Sequence, residues 1–378
     1  MTEVGQVSEQ SVKRLRTVCA SLAMVGSMSC WLPSAQAGDQ VVNVYNWGNS
    51  IGKDTVADFE KATGIKVVYQ EFDSNETLQA KLLSGNSGYD VVVPSDIFWA
   101  RQVRANIFQK IDKSKLPNYA LVDPASLKLL EQDDAGNQYG VPWQWGTDGL
   151  GVNVEKVKAA LGNDAPLTSW ALLFDPKNAQ KLKSCGISVL DSPVDAFGSA
   201  LIYLKKDPTT TNPADYEAAY QLLKGIRPYI TQFNSTSYIN DLAGGDICLS
   251  LGWSGDVNSA RLAAESARKP YHIKYVIPSE STAIWFDMLA IPKDAPHPEA
   301  AHKFIDYVLS VKEAANLTND TSYPTTIPSA KALVRPAVKA DPAVFPPPAV
   351  FAKLIANKPV PPEIMRLQNR LWAKLKNG

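Results

Sequence analysis

Cysteine and histidine are both scarce in this chain, four and three residues out of 378. The histidines, His272, His297 and His302, lie far from every cysteine in sequence, which argues against a metal centre. Charge of one sign is lacking too. Thirty-eight basic residues balance thirty-eight acidic ones, so neither a nucleic-acid-binding stripe nor a polybasic membrane patch is present. Beyond residue 37 no 18 apolar residues follow one another, which argues against a membrane span. Catalytic signatures are missing as well. Gly252-Trp253-Ser254-Gly255-Asp256 lacks the spacing of a nucleophile elbow, and Gly149-Leu150-Gly151 supplies only two of the three dinucleotide-fingerprint glycines. The run His297-Pro298-Glu299-Ala300-Ala301-His302 is not the zinc-binding His-Glu-x-x-His, and its histidines are expected in solvent at a helix start. The expectation is therefore a chain that is not an enzyme and carries no cofactor or metal.

What is present begins with an export signal. Lys13, Arg14 and Arg16 precede an apolar stretch over 18–32, and Ala35-Gln36-Ala37 matches a signal-peptidase site, so residues 1–37 read as a signal peptide. Cys30 lacks the small residues that precede a lipidated cysteine. Cleavage after residue 37 of 378 leaves 341 residues, enough for two domains. It also removes three basic groups and two acidic ones (Glu3, Glu9), leaving 35 against 36. Cys19 and Cys30 depart with the signal. Cys185 and Cys248 remain for an oxidising compartment, where a disulfide is the default and two buried thiols the alternative.

From Gln40 strand-like and helix-like segments alternate, "VVNVYNW", "DTVADFEKATG", "IKVVYQEF", "NETLQAKLLSGNSG", "YDVVVPS", at the spacing of βαβ units. "GDICLSLGWSGD" leads into a helix expected over 257–267, and "YHIKYVIP" and "TAIWFDMLAIP" are further strands. No internal repeat or low-complexity linker occurs, so two α/β lobes sharing a hinge are expected. Hinge candidates are 145–147 and 278–282.

Aromatic and acidic residues recur where strands stop: Trp47, Ser95, Asp191 and Asp195, Trp253 and Asp256, Trp285 and Asp287, then Tyr323. In open α/β sheets the ligand crevice lies outside the carboxyl ends of the strands. Each residue has a plainer account. Trp47 could be core, Asp191 a turn residue, Asp256 a helix cap, and Asp287 half of a buried ion pair. Together they describe aromatic walls with carboxylates set into them. Such a box suits a cationic guest, because ring faces attract ammonium groups and buried carboxylates need counter-ions.

At this point the chain resembles the periplasmic polyamine-binding proteins of bacterial ABC importers, particularly the putrescine-binding kind. The resemblance runs through "VYNW", "TGIKVVY", "LLSGNSGYDVVVPS", "DKSKLPN", "DAPLTSW", "KLKSCGISVLDSP", "YINDLAGGDIC", "GWSGDV" and "FDMLAIP". It implies an α/β, type II periplasmic binding protein fold, with lobe 1 over 38–146 and 280–323 and lobe 2 over 147–279 and 324–378. It implies the disulfide Cys185–Cys248. Its ligand positions fall on Trp47, Ser95, Asp195, Trp253, Asp256, Trp285, Asp287 and Tyr323. The family commonly reads Trp-Ser-Asp-Tyr where this chain reads Trp47-Gly48-Asn49-Ser50. Asn49 can hydrogen-bond an amine but cannot neutralise it, and Ser50 leaves more room. A longer polyamine, a guanidino-amine such as agmatine, or a less charged amine each fits. The implied partners are a small organic amine and an inner-membrane ABC permease, with no nucleic acid and the receptor a monomer. A sensor docking on a membrane signalling receptor is the second reading, and a secreted amine-metabolising enzyme a distant third.

Overall fold

The computed structural model describes residues 41–378. The expected signal segment, with Cys19 and Cys30, lies outside them. Strand β1 (Val41–Trp47) alternates buried and half-buried residues, as its sequence dictates, and its Val42, Val44 and Asn46 face inward. It is central in a three-stranded parallel sheet, between β2 (Lys66–Phe72) and β3 (Val91–Val92). The helix Thr55–Thr63 between β1 and β2 ends at Gly64, whose φ of 74° gives the left-handed cap. Strand β3 is shorter than "YDVVVPS" suggested, because Pro94 and the following helix Asp96–Arg104 cut it off.

A second, seven-stranded sheet is mixed. It is built around β4 (Val141–Asn153) with β5 (Ile187–Val189), β6 (Gln232–Phe233), β7 (Leu249–Trp253), β8 (Ile273–Val276), β9 (Ala283–Leu289) and β10 (Ile355–Ala356). By sequence, "VPWQWGTDG" reads as a Trp-rich segment and "GLGVNVEKV" after it as a separate strand and helix start. Instead β4 is one 13-residue ribbon. Its first half pairs antiparallel with β9, and its second half pairs with β7 and β8.

Buried side chains gather into clusters on either side of that ribbon. Val42, Val91, Trp143, Phe304 and Leu317 belong to one core, which adjoins a cluster holding Phe72, Trp99 and Phe286. Leu150, Trp170, Phe197, Tyr216 and Leu251 belong to the other. These are the two lobes, and β4 runs from one core into the other. Residues 324–378 do not pack as a block. Ile327, Ala330 and Val334 join the first core, whereas Ile364, Leu371, Trp372 and Leu375 of the helix Pro362–Asn377 join the second.

Cys185 and Cys248 are disulfide-bonded, tying the approach to β5 to that of its parallel neighbour β7. His302 departs from expectation. It is buried, with Nε2 accepting from the Asp112 backbone N–H at 3.0 Å and Nδ1 donating to the Pro298 carbonyl at 2.6 Å. Long-range packing, invisible in the local motif, put it there. Among the described residues no helix is long and apolar enough to cross a membrane, and no three histidine, cysteine or acidic residues converge to hold a metal ion.

Candidate functional site

The ends of β1 and β7 and the middle of β9, where Trp285 and Asp287 lie inside the strand and not at its end as expected, converge on one cavity of about 440 Å³. All nine residues expected there, Trp47, Asn49, Ser95, Asp195, Trp253, Asp256, Trp285, Asp287 and Tyr323, line it. From the first lobe, β1 delivers Trp47, and the turn that follows places Asn49 at φ 57°. Asparagine is one of the few residues that occupy this left-handed region readily. Ser50 is buried behind it, its carbonyl accepting from Asn46 Nδ2 at 2.9 Å.

Asp287 sits mid-way along β9, a strand buried throughout. Its Oδ1 accepts from Ser95 Oγ at 2.9 Å and its Oδ2 from Gln144 Nε2 at 2.8 Å. Among the described residues no lysine or arginine pairs with it, so the ion-pair account fails there. Burial pushes its carboxyl up to about 7, with Asp256 adding to the rise and the two hydrogen bonds opposing it. Ser95 stands at the N-cap position of the helix Asp96–Arg104 but its side chain makes no cap hydrogen bond and donates to Asp287.

From the second lobe, β7 ends at Trp253 and the helix Ser254–Ser266 begins at once, three residues ahead of expectation. Asp256 therefore lies inside the first turn and does not cap the helix. Tyr323 donates to its Oδ1 at 2.8 Å and Tyr238 to its Oδ2 at 3.0 Å. Tyr238 in turn accepts from the Trp253 backbone N–H at 3.1 Å. Burial lifts the Asp256 carboxyl to about 6 against these two hydroxyls. Asp195, on the helix Pro193–Tyr203, accepts from Trp253 Nε1 at 3.3 Å, and burial raises it to about 6 as well. Indoles of the two lobes meet edge to face, Trp47 against Trp253 with ring centres 5.8 Å apart, and Trp285 meets Tyr323 at 5.5 Å.

Eight carboxylates line the cavity: Glu71, Asp73, Glu76, Asp96, Asp191, Asp195, Asp256 and Asp287. Among the described residues no lysine, arginine or histidine side chain does. Asp191, a turn residue by sequence, holds Lys376 at 2.6 Å and accepts from Trp372 Nε1 at 3.0 Å at the mouth. Sequence reasoning missed Gln144, Tyr238 and Asp96. Asp96 is buried and accepts from the Ile97 and Phe286 backbone N–H groups at 2.8 and 3.2 Å. A glutamine between two tryptophans in an otherwise apolar run was the available signal for Gln144.

A family model described as bacterial extracellular solute-binding protein matches residues 54–346. The putrescine-binding periplasmic protein SpuD of Pseudomonas aeruginosa is 45% identical over 97% of this chain and 100% of its own length. PotF of Escherichia coli, also a putrescine-binding periplasmic protein, is 45% identical over 90% of this chain and 93% of its own. Among solved structures, one from Listeria monocytogenes named for a spermidine/putrescine ABC transporter superposes with a TM-score of 0.80. It is 30% identical and covers 89% of this chain and 99% of that one.

Proposed function

The chain belongs to the bacterial extracellular solute-binding proteins, and we propose that its cleft captures a polyamine or a related organic amine and presents it to an ABC importer from the periplasm. The single observation that carries this reading is a cavity walled, among the described residues, by eight carboxylates and several aromatic rings with no basic side chain in the lining. Buried carboxylates in such a wall draw their counter-ions from the guest, and the rings cover its methylene chain.

In this reading Trp253 and Trp285 pack on the alkyl chain, while Asp256 and Asp287 each receive an ammonium group. Ser95, Asn49, Asp195 and Tyr323 complete the polar lining, and Trp47 closes the box from the first lobe. The amides and hydroxyls around Asp287 and Asp256 only donate or share protons, so they orient the carboxylates without neutralising them. The lobes close about the crossing ribbon to bury the ligand. Relatives that are putrescine-binding proteins support the amine class, and Gly48-Asn49-Ser50 keeps its member open.

The test is a thermal-shift panel on protein freed of carried-over ligand by refolding, against putrescine, cadaverine, agmatine, spermidine and spermine. At least one amine should raise the melting temperature by several degrees. No shift with any amine, alongside a shift with a neutral or anionic solute, overturns the proposal.

A further inference from the structure

On β4 the residues Gln144, Gly146 and Asp148 are two apart and therefore lie on one side of the ribbon. Each is the cross-strand partner of a residue in the cleft wall: Gln144 of Asp287, Gly146 of Trp285, and Asp148 of Trp253. The row is thus a platform beneath the site. Gly146 is required there, since a β-carbon would come within 2.4 Å of Trp285 Cζ2, so the indole rests on bare backbone.

Asp148 is the next position on that side. It is 1% exposed, and its Oδ1 has no hydrogen-bond partner. Trp285 Nε1, buried beside it, has no other partner among the described residues and turns its N–H toward this carboxyl. The groups acting on this carboxyl are Asp195 from the second lobe, Asp96 from the first, and the Trp285 N–H. Tyr275 of β8 also feels it, with its own hydroxyl engaged by Thr147. None of these is basic. Burial, then Asp195, holds the Asp148 carboxyl well above the usual carboxylate range. A carboxylate in such a place is costly unless a cation approaches, and the described residues supply none.

We infer that Asp148 is a specificity-determining charge set one layer behind Trp285 and Trp253, positioning the Trp285 indole and favouring guests with three positive charges over guests with two. Two ammonium groups satisfy Asp256 and Asp287. A third ammonium group drives the proton from Asp148, and the charge so formed, together with that of Asp195, rewards it. This inference rests on the cation reading of the same cleft.

Calorimetric titration of the refolded full chain with putrescine and spermidine tests it, in two buffers of different ionisation heat, for the unsubstituted protein, Asp148→Asn and Asp148→Glu. Asp148→Asn should lower the spermidine-to-putrescine affinity ratio about tenfold and reduce the protons released per spermidine bound. Its unliganded melting temperature should not fall, because a buried uncompensated acid is removed. Asp148→Glu should keep the preference. An unchanged ratio and proton count in Asp148→Asn overturns the inference and leaves the amine reading standing. A lowered melting temperature with loss of all amine binding in both variants makes the residue structural and also overturns it. No amine binding by the unsubstituted protein overturns both readings.

Discussion

Asp256 and Asp287 solve the same problem with different partners. One carboxylate is held by two tyrosine hydroxyls, the other by a serine hydroxyl and a glutamine amide. Every one of these donors is neutral, so each acid is fixed in direction while its charge stays uncompensated. Asp256→Asn or Asp287→Asn should weaken amine binding by about 2–5 kcal/mol, the cost of removing one partner of a buried charge pair. Titration calorimetry with whichever amine the panel selects measures this. Unchanged affinity in both variants would remove these residues from the recognition scheme.

At the scale of elements, the disulfide joins two parallel neighbours, β5 and β7, across a sequence separation of 63. Both strands support the second lobe's share of the cleft. Reduction and alkylation of Cys185 and Cys248 should lower stability by about 2–4 kcal/mol, by enlarging the freedom of the unfolded chain. The midpoint of urea unfolding, with and without reduction, reads the change, and an unmoved midpoint contradicts it. Strands with plain alternation or continuous apolar character, such as β1 and β9, were legible from sequence, and so were the residues at their ends. The ribbon β4 was not. Its Gly146, Gly149 and Gly151 resemble turn punctuation, whereas Gly146 and Gly149 make room for the Trp285 and Tyr275 rings. Gln144 and Asp148 escaped notice for a related reason. Their neighbours are set by cross-strand register, which pairs Gln144 with a residue 143 positions away. Tyr238 meets Asp256 in the same way, through tertiary packing alone. Registers of that kind carry no local periodicity to read.

For the whole molecule, the cleft acids make stability depend on pH. Burial raises Asp195 and Asp256 to about 6 and Asp287 to about 7. Groups raised in the folded state contribute stability that is whole below their unfolded pKa of about 4 and is lost as pH climbs through 6 and 7. The melting temperature of the unliganded protein should therefore fall between about pH 5 and pH 8. Amine binding favours the ionised acids, so the loaded protein should lose less over that interval, and affinity should strengthen as pH rises through it. Parallel thermal scans at several pH values check this, and an unliganded protein that gains stability across the range contradicts it.

Among the described residues only Asp191, at the mouth of this wall of eight acids, pairs with a base, and the lack of one for the acids deeper in also bears on unloading. While the cargo is in place it does the work that arginine or lysine does inside other proteins, so its departure leaves those acids that do not regain a proton as bare anions between indole faces. Water must flood in at the same moment. Prising the lobes apart far enough to rehydrate those anions is thus the task that falls to the membrane machinery, and simple loosening of contacts to the hydrocarbon chain would not accomplish it.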